Sequence, residues 1–256
     1  MSLLPLGVLV GAVLVLTGRP ARADADTAFP PADWSTELTE ALRQYQAGQY
    51  AAAQSLCAEW LARSRDPRVQ LDAAALTAMI LMHEPARPDR LAGIAHLHRL
   101  AQDEPTLLDR PECQLALGTA RRALNETATA LELLDLAAEG FAAEQRSDRL
   151  IAALVALAET WAEHTEWEIT PPRFSVPRPD DSRQAAQIRR RQIAAIRSRL
   201  ESLSAGTDAL ARVDLLLARS YLESAEEPDE GQRLLELITA APMAIPCLLY
   251  TSDAAD

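Results

Sequence analysis

Four histidines, three cysteines and one dense run of arginines are the side chains of this chain best equipped for chemistry. His96 and His98 are two apart, which on a helix turns them about 200° from one another, so they cannot close on one metal from a single helix. Glu166 is only two residues beyond His164, and neither that pair nor the region of His83 gives metal-ligand spacing. The sequence holds no H-E-x-x-H, no C-x-x-C, no Gly-rich phosphate loop and no G-x-S-x-G, the arrangements that would bring a metal, a phosphate or a nucleophile to one place. The expectation is therefore no catalytic residue, no metal ligand, no cofactor site and no small-molecule substrate. Asn125-Glu126-Thr127 matches a glycosylation acceptor but falls at a helix turn in a bacterial-looking chain, and is read as idle. Cys57 and Cys113, far apart and in separate helical segments, read as buried small apolar groups rather than a disulfide.

The arginines need more thought. All 25 basic residues are Arg, set against 37 acids for a net charge of -12. That balance disfavours nucleic acid and anionic surfaces. Yet Arg183, Arg189, Arg190, Arg191, Arg197 and Arg199 crowd one stretch without an acid among them. Ile193, Ile196, Leu200 and Leu203 share that stretch at the spacing of a packed seam. Such a helix could dock on an acidic partner or on lipid headgroups, or lie against acidic neighbours such as Glu226, Glu227, Asp229 and Glu230. The second reading is preferred.

These groups are carried by helices. Apolar residues recur at three- and four-residue steps over about 35–47, 50–62, 69–83, 88–102, 112–124, 126–144 and 147–165. The same period returns over 183–203, 207–224 and 229–240. Gly48-Gln49, Asp66-Pro67 and the Pro-containing stretches at 84–88 and 104–111 separate them, and Ser147-Asp148 reads as an N-cap. No segment alternates as a strand would, and aromatics make up only 4%, so the core is Ala and Leu. Residues 166–182 carry Pro171, Pro172, Pro177 and Pro179, which predicts an extended, polyproline-like connection whose Trp167 and Phe174 pack onto the helices.

The two ends read differently. Leu3 to Leu16 is an apolar run too short to span a bilayer comfortably, and Ala21-Arg22-Ala23 resembles a cleavage site, so residues 1–23 read as a secretory signal. The last ten residues, 247–256, match one frame of a sequencing-library adapter, and the expectation is a fragment whose own sequence is legible to about Pro246. The segments are then 24–165 as repeats, 166–182 as the Pro-rich connection and 183–246 as further repeats.

Gly48-x-Tyr50-x-x-Ala53 resembles the tetratricopeptide repeat, a ~34-residue helix pair. Leu117-Gly118 with Ala130, Leu134 and Ala137 is similar in the same register, as is Leu217-Ala218 with Tyr221, Leu234, Leu237 and Pro242. Trp60 and Glu230 stand where the family has alanine. The resemblance implies an all-α fold, a right-handed α-solenoid of antiparallel TPR-like helix pairs. It also implies a protein or peptide partner on the concave surface, met by first-helix residues that include Gln44, Arg121 and Arg219. The function expected is a periplasmic or otherwise exported scaffold for protein–protein interaction, with membrane or envelope association if the N-terminal segment stays uncleaved. The alternative is the N-terminal module of a longer envelope enzyme whose catalytic domain lies beyond Pro246.

Overall fold

The 3.6-residue period becomes ten α-helices in the computed structural model, which describes residues 34–174, 176–224 and 228–240. They are α1 (Thr39–Gln46), α2 (Tyr50–Arg63), α3 (Pro67–His83), α4 (Arg87–Asp103), α5 (Pro111–Ala123), α6 (Thr127–Ala143), α7 (Ser147–Glu163), α8 (Ser182–Ser202), α9 (Thr207–Ser224) and α10 (Pro228–Ala240). No strand occurs among the described residues. The expected signal segment and the adapter-like tail lie outside them.

Two local devices end the helices. In the first, the second residue past the helix takes a left-handed backbone: Gly48, Asn125, Gln145 and Ser204 have φ of 73°, 65°, 58° and 53°. The next amide then reaches back to a carbonyl in the last turn, as Gln49 does to Gln44 and Glu126 to Arg121, each at 2.9–3.0 Å. This is the Schellman arrangement. Only Gly48 adopts it without a Cβ penalty. It also corrects the reading of Ser147-Asp148 as a cap, since Ser147 is already helical and no side chain caps α7. In the second device, Pro opens the following helix. Asp66 accepts from the Arg68 amide at 2.9 Å ahead of Pro67.

Successive helices form five pairs, α1/α2 through α9/α10, and short turns make neighbours antiparallel. Odd-numbered helices also pack on the next odd-numbered one: α3 on α5, α5 on α7 and α7 on α9. They form the inner row, and the even-numbered helices lie outside. Close crossings need small residues. Ala53 and Ala130 are fully buried, and each is the fourth residue of its even-numbered helix. Ala185 and Gly231 occupy the same place in α8 and α10. The crossing residue of the last pair is thus Gly231, not Glu230. A Cβ there would lie 2.9 Å from Leu222 Cγ and 3.1 Å from the Ala218 carbonyl oxygen.

The inner row is tied at its N-terminal end by a buried charge. The Asp72 carboxylate on α3 accepts from the Ser35 amide at 2.8 Å, the Ser35 hydroxyl at 2.6 Å and Arg110 Nη1 at 2.7 Å. Arg110 also stacks over the Trp34 ring, 5.0 Å from its centroid. One carboxylate so joins the start of the chain's helical body, α3 and the entry to α5.

The connection between α7 and α8, residues 164–181, replaces a three-residue turn with eighteen residues. It is not simply extended: short 3-10 turns form at Trp167–Ile169 and Pro172–Phe174. Phe174 meets Trp161 edge-on at 5.2 Å and Trp167 lies 6.4 Å from it. Glu166 caps α6 through the Ala128 amide at 2.8 Å, and Arg173 pairs with Asp135 and Glu139 at 2.8 and 2.6 Å. The segment is fastened along α6 by polar and aromatic contacts at several points. Cys57 and Cys113 are free and buried, with burial raising both thiols, Cys57 to about 11 and Cys113 to about 12.

Candidate functional site

α7 is covered by α6 and α8 outside and by α5 and α9 on its flanks. Along it run exposed Ala152 and Glu163 and half-buried Ala156 and Glu159, at four-, three- and four-residue steps, which is one helix face. That stripe faces the inside of the stack. Glu159 joins it to both flanks: one carboxylate oxygen accepts from Arg122 on α5, the other from Arg212 on α9. The three side chains are 17%, 24% and 51% exposed, in the order Glu159, Arg122, Arg212. Glu163, one turn on, lies within electrostatic reach of Arg122 and Arg219. The inner face of the last three pairs is therefore a ladder of alternating charge, with Ala152 and Ala156 as its small apolar rungs.

Of the residues expected on this surface, Arg219 is exposed on α9 near Glu163. Arg121 turns instead to Glu126 in the α5–α6 turn, at 2.5 Å. Gln44 donates within its own helix to Glu40. The ladder residues Arg122, Glu159 and Arg212 were not singled out. The partly exposed stripe of α7 was readable from its period, but the partners of Glu159 lie 37 and 53 residues away with no local signal.

Three arginines of the basic helix α8 are engaged within the chain. Arg189 donates to the His164 carbonyl at 3.1 Å. Arg190 is buried over the Tyr221 ring, 5.1 Å from its centroid, and reaches the Ser220 carbonyl at 3.5 Å. Arg197 pairs with Asp214 and with Glu201. Glu226, Glu227 and the Glu230 side chain lie outside the described residues. Of the expected seam, Ile193, Ile196 and Leu200 are buried, while Leu203, just past the end of α8, is half-buried.

His83 and His164 serve packing, whereas His96 is half-buried and His98 exposed on α4. Tyr45 Oη and His83 Nε2 are 2.7 Å apart, and Tyr50 stacks on the imidazole at 4.7 Å. Burial, helped by Arg149 and Arg90, pushes His83 down to about 4. His164 is fully buried between the Thr127 hydroxyl at 3.0 Å and the Thr170 hydroxyl at 2.8 Å. Burial likewise lowers it to about 4, against the opposing pull of Glu166. A neutral ring suits both places. Among the described residues no group of three or more His, Cys, Asp or Glu is placed to hold a metal, and no helix is long and apolar enough to cross a membrane.

No family model and no curated protein matches this chain. Its fold is similar to two solved structures from Podosopora anserina, of a protein described as a kinesin light chain with nearly identical TPR-like repeats and of a point variant of it. Each superposes with a TM-score of 0.50 over 80% of this chain and 92% of that one, at 18% and 19% identity. At that identity the likeness shows the architecture. The fold is all-α, built of consecutive TPR-like helix pairs.

Proposed function

We propose that this chain is a scaffold that holds a protein or peptide partner on the inner face of its helix pairs. The observation that carries this reading is the partly exposed stripe of α7, flanked by α5 and α9 and lined by Glu159, Arg122 and Arg212. Stacked helix pairs offer such a surface as a by-product of their curvature, with no chemistry required of it. The same inner face is where the resemblance to TPR-like repeats puts a partner. The test is a photo-crosslinking residue placed at Ala156, on the stripe, or at exposed Ala58, on outer helix α2. Adducts with a discrete partner from Ala156 alone are expected. Equal adducts from both positions would sink the reading.

We further propose that the protein works outside the cytoplasm, in the periplasm or envelope. The apolar run Leu3 to Leu16 and the Ala21-Arg22-Ala23 pattern support export. Mass spectrometry of the mature N-terminus checks it, with a start at Asp24 or Asp26 expected and an intact Met1 contradicting cleavage.

A further inference from the structure

We propose that Glu159 is the internal ligand of a two-arginine anion site, and that it sets the specificity of the inner face by closing it to acidic segments. The proposal rests on the inner face being the partner surface. Two guanidiniums from different helices converge on one carboxylate, each taking a separate oxygen. That is how a protein holds a carboxylate group of a ligand, because each guanidinium offers a planar fork of donors matched to carboxylate geometry. Here the carboxylate belongs to the chain itself. Arg212 is half in solvent and Arg122 is partly exposed, so an outside group can reach both. Ala156, one turn before Glu159, and Ala152, a turn further, leave room beside them.

The consequence is selective. An acidic side chain approaching Arg122 and Arg212 meets guanidiniums already neutralised, and it must also approach Glu159 and Glu163. It gains little and pays like-charge repulsion in a chain of net charge -12. A neutral or basic partner segment meets no such opposition. Removing the Glu159 charge while keeping an acceptor should leave Arg122 and Arg212 without their shared carboxylate and reverse the preference.

The experiment uses a fluorescein-labelled octaglutamate peptide as probe, followed by anisotropy at low ionic strength. Wild-type protein should bind it negligibly. Glu159→Gln should bind it at least about tenfold more tightly, and adding Arg212→Ala to that variant should remove most of the gain. Glu163→Gln makes the same change in net charge on the same face without freeing the two arginines, and should gain far less. Should Glu159→Gln melt below the assay temperature, Glu159→Asp takes its place, since its shorter side chain cannot span both guanidiniums, and a smaller gain is expected. No gain in a folded Glu159 variant, or an equal gain in Glu163→Gln, would overturn the proposal. Failure of the Ala156 crosslink with this gain intact would fall on the partner-surface reading alone.

Discussion

Two carboxylates on inner-row helices each gather arginine from an adjacent element, and they do opposite work. Asp72 is fully buried and Arg110 is 9% exposed, with Ser35 supplying two more donors to the other carboxylate oxygen. Glu159 holds two arginines but stays in contact with water. Removing one member of a buried pair leaves a charge stranded in low dielectric, whereas an exposed pair is screened and contributes little to stability. The N-terminal carboxylate is thus structural glue. The C-terminal one is free to act as a surface.

The largest expected effect follows directly. Asp72→Ala should cost about 3–5 kcal/mol, because it strands Arg110, while Glu159→Ala should cost less than about 1 kcal/mol. Urea unfolding of the two variants measures both, and similar losses would break the comparison.

Acid tests both halves at once, through His83 near the N-terminal pairs and His164 in the long connection. Both are neutral bases whose folded value, about 4, lies below the ordinary imidazole value of 6.5. The unfolded chain therefore takes up protons first. Their contribution is whole above pH 6.5, declines as pH falls through the window, and stops changing below about 4. At pH 5 the loss should be on the order of 2 kcal/mol per histidine. Unfolding curves between pH 7 and pH 4 should lose slope in His83→Phe and in His164→Asn. An unchanged slope would contradict burial of a neutral ring.

Crossing residues sharpen the contrast between a tight pair and the pair opened by the insertion. Ala53→Leu should overpack the first pair by about 1–3 kcal/mol. Ala185→Leu, in the pair joined by residues 164–181, should cost less, since Ala185 keeps some exposure. Equal melting temperatures for wild type and Ala53→Leu would refute the crossing.

The smallest effect is a gain. Gln145 holds a left-handed backbone that Gly48 adopts freely, so Gln145→Gly should stabilise the α6–α7 turn by about 0.5–1 kcal/mol. A loss of stability would show that the Gln145 side chain contributes contacts outweighing its backbone strain.

Much of this architecture is legible in the sequence. Helix bounds follow from apolar period, Pro and Gly, all of which act within a few residues; the observed ends fall within two residues of those expected except at the start of α1, where a 3-10 turn at Thr36–Leu38 precedes the helix. Ala53 and Ala130 were identifiable because crossing positions demand a small side chain at a fixed place in the pair. Asn125, whose acceptor pattern reads as idle, has a local reason to be asparagine, which tolerates the left-handed turn it makes. Glu230 was one residue off because a single glycine can serve where the family pattern has alanine.

The sequence by itself determined what short-range forces control: an all-helical chain, nearly all of its helix ends, and which side of each helix is apolar. Only the tertiary structure decided which charges meet. Arg121 and Arg122 are adjacent in the chain, yet one closes a turn and the other crosses to α7. Arg197 finds Asp214 across the α8–α9 turn. A long arginine side chain can reach several neighbours, and which one it takes depends on the offset between helices. That offset is set by turn lengths and crossing residues acting together over the whole stack, and no local pattern encodes it.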